Sequence, residues 1–265
     1  MLELNNINVS FNKGTVDEMP LFSDFNFSVK KGEFVSIVGS NGSGKTTLLN
    51  LICGTLMPDG GKIIFEGRDI TKLPEYKRAR QIGRVFQDPK IGTCSELTVL
   101  ENFALADNKN KPFSLTGAIN KKRIPYYKEL LSQCNMGLED RMSSKVGLLS
   151  GGQRQAIALV IACMTDVKLL ILDEHTAALD PKSSERIMEL TDEMIKKHSM
   201  TAVMVTHNLR HAVNYGSRLV MMDKGGSVMD KSGEDKKEIK IENILDIFNK
   251  ISIECGNLDK KTHGQ

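Results

Sequence analysis

Hydrophobic and polar residues alternate at the start of the chain and later give way to unbroken apolar runs. The alternation is typical of half-buried antiparallel strands, and its apolar positions are Leu2, Leu4, Ile7, Val9 and Phe11, then Phe25, Phe27 and Val29. Residues 34–38 are continuously apolar apart from one serine and end at a glycine, as a central parallel strand leading into a loop does. The composition of residues 168–173, 201–206 and 218–222 predicts three further core strands. We therefore expect an α/β fold with a mixed sheet and an N-terminal antiparallel β subdomain.

Between residues 88 and 146 the pattern changes to helix-forming segments. Two of them, 98–106 and 121–134, are joined by the polar stretch 107–112. This predicts a helical subdomain inserted into a core that comprises residues 1–87 and 147–230, all within a single domain of residues 1–250. Apolar residues spaced by about 3.6 predict a C-terminal helix over 236–252, on a face formed by Ile241, Ile244, Leu245, Phe248 and Ile251. Residues 253–265 are expected to form a flexible tail.

Composition limits the possible functions only weakly. The chain has 265 residues, is 40% hydrophobic and carries a formal net charge of +3, which gives no case for a nucleic-acid partner. Its five cysteines are scattered without a C-x-x-C pair, so neither a zinc site nor a disulfide framework is expected, and a reducing cytosol is favoured. No signal peptide is evident, and no apolar run approaches the roughly eighteen residues of a membrane span. If the protein drives transport, we expect the pore to be on another polypeptide.

A phosphate-binding loop follows the strand at residues 34–38. The motif G-x-x-x-x-G-K-[ST] is complete between this strand and the helix predicted from Thr46 to Cys53. Its glycines allow successive N–H groups to point at phosphates, and the helix N-terminus adds its positive dipole end. Lys45 is predicted to pair with the β- and γ-phosphates and Thr46 to ligate Mg²⁺. The predicted ATP-binding residues here are Gly39, Ser40, Asn41, Gly42, Ser43, Gly44, Lys45, Thr46 and Thr47.

Two acidic residues end the strand predicted at 168–173. Four apolar residues, Leu169 to Leu172, lead into Asp173 and Glu174. A strand buried on both faces would place Asp173 at its end, where its carboxylate can hold Mg²⁺ through water. Glu174 would point toward the γ-phosphate and polarise the attacking water. An isolated acidic pair is more often a solvated strand end, so this interpretation depends on the neighbouring motifs.

A third motif gives these two their context. Leu149-Ser150-Gly151-Gly152-Gln153 lies about a hundred residues after the phosphate loop and about twenty before the acidic pair. The three motifs in this order, over about residues 11–207, resemble the ATP-binding cassette (ABC) family, whose ATPase subunits power membrane transporters. The resemblance implies that two cassettes pack head to tail, so that Ser150, Gly151, Gly152 and Gln153 of one chain grip the ATP held by the other. Asp180, in Ala178-Leu179-Asp180, resembles the loop that crosses the same interface.

The resemblance also assigns three single residues. His207 matches the switch histidine, which contacts the γ-phosphate and orients the catalytic glutamate. Gln87 matches the glutamine that reaches the metal at the hinge to the helical insert, although a polar strand end is its ordinary explanation. Phe11 matches the aromatic residue that stacks on adenine, with a plain core position as the alternative. Together with Lys45 and Glu174, Gln87 and His207 form the predicted catalytic set.

Some residues depart from the commoner family pattern. His175 stands where proline usually follows the catalytic glutamate, and Ala156 and Ile161 replace frequent arginines. With the segments 73–80 and 173–180, these departures resemble a bacterial subgroup of import ATPases that work with permeases of the branched-chain amino acid type. Aromatic amino acids are the expected substrate class there, although specificity belongs to the permease.

The resemblance implies a peripheral ATPase at the cytoplasmic face of the bacterial membrane. Its expected partners are a second copy of the chain, an integral membrane permease and an external substrate-binding protein. An exporter subunit, or a soluble cassette ATPase acting on ribosomes or DNA, remains an alternative. A binding module without hydrolysis is opposed by the presence of both Glu174 and His207.

Overall fold

The computed structural model describes residues 1–109, 111, 117, 119–164 and 167–250. Within these residues, strands in the order β2-β1-β4-β5 form an antiparallel sheet. Its members are β1 (Leu2–Phe11), β2 (Met19–Val29), β4 (Gly60–Phe65) and β5 (Arg68–Asp69). The predicted N-terminal antiparallel subdomain is thus confirmed.

The alternation in β1 changes phase once, and the structure shows why. Leu2 and Leu4 point into the core, as do Ile7 and Val9, so the inward positions skip one residue between Leu4 and Ile7. The pairing of β1 with β2 shifts register at the same point, and Asn6 has a left-handed φ of 50°. An irregularity of this kind keeps both apolar pairs on the buried face of a strand whose side chains alternate.

A mixed sheet forms the centre of the described chain, with strands in the order β10-β9-β3-β8-β7-β6. The strands from β9 to β6 are parallel, and β10 is antiparallel to β9. Their bounds are β3 (Phe34–Gly39), β6 (Ile82–Val85), β7 (Leu169–Asp173), β8 (Thr201–Val205), β9 (Arg218–Asp223) and β10 (Gly226–Ser232). Every residue of β3 and β8 is buried, which explains their continuous apolar runs. Because parallel strands end at the same edge, the residues that follow β3, β7 and β8 meet there.

Helices cover this sheet and form the insert. Their bounds are α1 (Lys45–Cys53), α2 (Glu75–Arg78), α3 (Pro89–Gly92), α4 (Val99–Asn108), α5 (Ile124–Ser132), α6 (Gly151–Cys163), α7 (Pro181–Lys197), α8 (Leu209–Asn214), α9 (Gly233–Lys237) and α10, residues 241–250. In the described parts of the chain, no helix has both the length and the apolar composition needed to cross a membrane.

The inserted segment 88–146 contains α3, α4 and α5. Phe103 of α4 and Tyr127 and Leu131 of α5 share a hydrophobic core with Ile157 and Leu159 of α6. The segment boundary that we placed at residue 146 is therefore not a packing boundary, since α6 packs against the insert as well as the sheet. Part of the predicted linker 107–112, namely residues 110 and 112, lies outside the described residues.

A largely buried carboxylate ties α4 to α5 and to the residue that precedes α5. Asp107, in α4, accepts hydrogen bonds from Arg123, Lys111 and Tyr127 at 2.7–3.0 Å. Burial opposes the ionisation of Asp107, but these donors outweigh it and lower its pKa to about 2.

A buried cation closes the C-terminal end of α1. Arg78 is 3% exposed and donates to the carbonyl oxygens of Leu51 and Ile52 at 2.7 and 3.2 Å. It also donates to the carbonyl oxygens of Leu73 and Thr71 at 2.7 and 3.0 Å. The last carbonyls of a helix lack partners within the helix, so Arg78 supplies them and fixes the far end of the helix that begins at the phosphate loop.

The prediction of a single C-terminal helix over 236–252 is wrong. The helix α9 ends at Lys237, residues 238–240 are not helical, and α10 starts at residue 241. Just before the interruption, Lys236 of α9 turns inward and donates to the carbonyls of Val213, Tyr215 and Gly216 at 3.1, 2.5 and 2.6 Å. Ile244 is fully buried, whereas the predicted face residue Leu245 is 45% exposed. Ile251 and the predicted tail 253–265 lie outside the described residues.

Candidate nucleotide site

The phosphate loop runs from the end of β3 to the start of α1. Gly44 has φ +100°, and a Cβ added there would lie 2.8 Å from Cε1 of Phe22, so backbone conformation and space both require glycine. The Ser40 hydroxyl donates to the Asp223 carboxylate at 2.7 Å, which ties the loop to the end of β9. Sequence reasoning missed Asp223, because nothing in the loop motif points to the neighbouring strand.

Lys45 is held inside this loop. Its Nζ donates to the carbonyl oxygens of Gly39 and Ser40 at 2.9 and 2.7 Å, and the residue is 5% exposed. Burial lowers the pKa of Lys45, and the nearby charge of Glu174 opposes that shift. The ammonium group is thus held at the loop, where its positive charge can attract an anion such as a phosphate.

A cavity of about 320 Å³ opens at the loop. Residues 41–47 line it together with Glu174, His207 and three apolar side chains, those of Phe11, Met19 and Leu21. Phe11 is 38% exposed, so its ring faces this cavity and is not a buried core residue. Met19 and Leu21, which the sequence did not single out, add apolar surface beside Phe11. The cavity therefore combines groups suited to phosphates with groups suited to a flat apolar base.

Glu174 and His207 are in contact at this cavity. His207 Nε2 lies 2.7 Å from Glu174 Oε1, and the side chains are 48% and 16% exposed. Glu174 has a left-handed φ of 48°, and its backbone N–H donates to the carbonyl of Val205 at 3.0 Å. Strained backbone of this kind is found where a functional side chain must be aimed. The structure thus brings both predicted residues together with Lys45.

A second cavity of about 690 Å³ adjoins the first, since Thr46 and Glu174 line both. Its lining also includes Gln87 and Asp173. A hydroxyl, an amide oxygen and one carboxylate are the hard oxygen ligands that Mg²⁺ accepts when phosphates and water complete its shell. The described residues contain no cluster of three or more His, Cys, Asp or Glu suited to a metal by themselves. The residues present therefore fit a magnesium ion that arrives with a nucleotide.

Asp173 has a partner that sequence reasoning missed. Arg84, on β6, approaches Asp173 Oδ2 with its Nη2 at 2.6 Å, and both side chains are largely buried, at 12% and 15% exposure. The available signal was a charged residue in the middle of a short apolar strand, which rarely occurs without a buried partner.

The signature residues lie elsewhere. Ser150 is the N-cap of α6, accepts from the backbone of Gln153 at 3.3 Å and forms a capping box with it. Asp180 caps α7 in the same way, accepting from Ser183 at 3.0 Å. A Cβ on Gly152 would lie 3.2 Å from the Ser183 side chain, so the two helix starts pack closely. The described residues that line the two cavities include neither Asp180 nor any of residues 150–153.

The unusual His175 is buried next to Glu174. It is 2% exposed, and its Nε2 lies 3.1 Å from the Thr191 hydroxyl on α7. Thr191 already donates its hydroxyl hydrogen to Ile187 O at 2.7 Å, so His175 Nε2 must be the donor. Burial, with the neighbouring His211 adding to it, lowers the pKa of His175 to about 3. A neutral histidine therefore anchors the residue after Glu174 to α7.

These features define a P-loop ATPase. They are a phosphate loop with a buried lysine, two acidic residues at the end of a nearby strand, and a histidine that contacts the second of them. Residues 22–177 match the ABC transporter family, and the chain belongs to that family. It is one of the family's ATP-binding, ATP-hydrolysing subunits.

Curated relatives and solved structures agree. The chain is 43% identical over 248 residues to a tyrosine transport ATP-binding protein of Clostridioides difficile, covering 94% of this chain and 98% of that protein. It is 31% identical over 264 residues to the xylose/arabinose import ATP-binding protein XylG of Sulfolobus acidocaldarius, with 98% of each chain covered. The fold is similar to the dimeric post-hydrolysis state of the cassette MJ0796 bound to ADP and Pi, with a TM-score of 0.74, 30% identity and coverage of 88% and 98%. It is also similar to the ADP conformation of MJ1267, with a TM-score of 0.77, 28% identity and coverage of 94% and 98%.

Proposed function

We propose that this protein is the ATPase subunit of a bacterial amino acid importer, and that two copies close around ATP to drive a separate permease. One observation carries the proposal. The Glu174–His207 pair faces the same cavity as the phosphate loop, while the signature residues 150–153 are absent from the described lining of that cavity. The chain thus presents a hydrolytic centre and, elsewhere, a second surface suited to a neighbour's nucleotide.

Within one chain, different residues bind the nucleotide and promote its hydrolysis. Lys45 and the loop N–H groups bind the β- and γ-phosphates, and Phe11 packs on the base. Thr46, Asp173 and Gln87 would hold the magnesium ion, which supplies neutralisation of the developing charge on the phosphate oxygens. Glu174 accepts a hydrogen bond from the attacking water, and His207 orients the Glu174 carboxylate through the 2.7 Å contact.

The second surface consists of the N-terminal ends of α6 and α7. The backbone N–H groups there and the Ser150 hydroxyl suit an anion, and Gly151 and Gly152 allow close approach. A head-to-tail homodimer would bring this surface against the partner's phosphates, with Asp180 crossing the interface. The cassette MJ0796 bound to ADP and Pi, a structural neighbour, is dimeric, which supports a dimer here.

Relatives support the direction and the substrate class. The relatives XylG, MetN 2 and HrtA are described as import proteins. A relative that shares 43% identity is described as a tyrosine transport protein. We infer that the permease and an external binding protein handle an amino acid, with tyrosine the first to test. The described residues contain no helix able to span a membrane, which agrees with a separate permease and a peripheral position at its cytoplasmic face.

Replacing Glu174 with Gln tests the hydrolytic assignment. The amide keeps the size of the side chain but cannot polarise water as a carboxylate does, so steady-state hydrolysis should fall about 10²- to 10⁴-fold while ATP binding persists. A matched control is Glu189→Gln, which changes an exposed carboxylate on α7 paired with Arg186 at 3.2 Å. Undiminished turnover in Glu174→Gln would remove Glu174 from the mechanism. Unchanged uptake of labelled tyrosine in cells that lack the chain would refute the substrate assignment alone.

A further inference from the structure

Arg84 lies at the junction of three elements around the proposed metal site. Its Nη2 contacts Asp173 on β7 at 2.6 Å, and its Nη1 donates to Asn50 Oδ1 on α1 at 3.0 Å. Its guanidinium lies 4.7 Å from the centre of the Phe86 ring. Arg84 lines the same cavity as Thr46, Asp173 and Gln87. The guanidinium therefore occupies a fixed position on the carboxylate that the metal needs.

We propose that Arg84 is the resident counter-ion of Asp173 and that it prevents the site from holding a divalent cation unless a nucleotide is bound. The inference rests on the proposed metal role of Asp173 and adds a positioning residue to it. Neither the loop motif nor the acidic pair predicts this residue.

The electrostatic argument follows from the pairing. A single carboxylate whose charge is balanced by an adjacent guanidinium attracts Mg²⁺ weakly, since the ion meets both charges at once. ATP phosphates add several negative charges to the same cavity and bring metal ligands of their own. The balance then favours the metal, so the ion is held as part of the nucleotide complex.

The surroundings make this charge permanent. Arginine does not lose its proton in proteins, and the planar fork of Arg84 is held by Asn50 and Phe86 as well as by Asp173. The Nε atom of Arg84 is buried and has no hydrogen-bond partner among the described residues.

Binding of Mn²⁺ to the full-length protein without nucleotide tests the proposal. Loss of the free Mn²⁺ signal in electron paramagnetic resonance reports binding and does not depend on turnover. We expect the wild type and Asp173→Asn to bind equally weakly. Arg84→Met should bind at least about tenfold more tightly, and Arg84→Lys, which keeps the charge, should resemble the wild type. The double variant Arg84→Met/Asp173→Asn should lose the gain.

The outcomes separate this inference from the proposed function. The role of Arg84 would be overturned if the wild type bound Mn²⁺ without nucleotide and Asp173→Asn abolished that binding. This comparison requires no Arg84 variant to fold. An Arg84→Met protein that folds but gains no Mn²⁺ affinity would do the same. If Asp173→Asn leaves unchanged the gain in ATP affinity that Mn²⁺ gives the wild type, the proposed metal role of Asp173 fails instead.

Discussion

Replacement of Ser150 with alanine, compared with a matched control, should separate the two roles of this side chain. Within the chain, Ser150 caps α6 by accepting from Gln153 N at 3.3 Å. Between chains, we propose that its hydroxyl binds the partner's γ-phosphate. An isolated Ser150→Ala variant therefore confounds a loss of fold stability with a loss of dimerisation.

The chain contains a matched control for the first role. Thr98 caps α4 through the same capping box, accepting from Glu101 N at 3.2 Å. Loss of either cap should cost about 1 kcal/mol of unfolding free energy, or about 2–4 °C in Tm for a domain of this size. Thr98→Ala and Ser150→Ala should therefore be destabilised alike.

The second role should distinguish them sharply. A hydrogen bond to a charged group contributes about 1.5–3 kcal/mol, and a symmetric dimer would lose two, so about 3–6 kcal/mol of dimerisation free energy disappears. That corresponds to roughly 10²- to 10⁴-fold weaker ATP-dependent dimerisation. Size-exclusion chromatography with ATP, in a Glu174→Gln background that slows hydrolysis, measures this directly. Ser150→Asp should keep the cap yet still block the dimer, because its charge repels the phosphate.

Monomer binding of a fluorescent ATP analogue supplies the decisive comparison. Both alanine variants should bind it like the wild type, since Ser150 is not among the described residues that line the loop cavity. A Ser150→Ala protein that loses monomer binding would place the signature at its own nucleotide and refute the head-to-tail arrangement. Equal dimerisation of the two alanine variants would refute it as well.

Two further predictions concern the stability of the scaffold. Arg78→Met leaves several buried carbonyls without a donor and should lower the free energy of unfolding by about 3 kcal/mol, whereas Arg80→Met, at an exposed position, should change it by less than about 0.5 kcal/mol in urea titrations. Asp107→Asn should cost about 2 kcal/mol at pH 7, because the pKa of Asp107 falls from 3.8 to about 2 on folding. That advantage is complete above about pH 5 and should shrink to about half at pH 3, as protons begin to bind the carboxylate. A difference between wild type and Asp107→Asn that stayed constant from pH 7 to pH 3 would contradict the assigned contacts.

Much of the site could be predicted because its motifs are continuous in sequence. The loop at 39–46, and the acidic pair with its strand, depend on local geometry, and the structure has them at the expected strand ends. His207 follows β8, whose backbone pairs with both β3 and β7, so its closeness to Glu174 follows from the parallel order of the sheet.

The parts that could not be predicted depend on contacts between distant segments. Arg84 meets Asp173 across 89 residues of chain, and Ser40 meets Asp223 across 183. The regular apolar spacing predicts one C-terminal helix, yet the structure interrupts it at residues 238–240, beside Lys236, whose ammonium group donates to the carbonyls of Val213, Tyr215 and Gly216. Apolar periodicity in the sequence predicts which face of a helix is buried, but it does not predict which backbone carbonyls a lysine side chain will contact.

The departure at His175 shows how a subgroup residue can serve the shared mechanism. Proline at this position would restrict the backbone after the proposed catalytic glutamate, whereas histidine leaves it free and needs another constraint. The hydrogen bond from His175 to Thr191 supplies one, and it ties the left-handed Glu174 to α7, the helix capped by Asp180. Because α7 starts against Gly152, this hydrogen bond joins the residue after Glu174 to the helix that borders the signature surface.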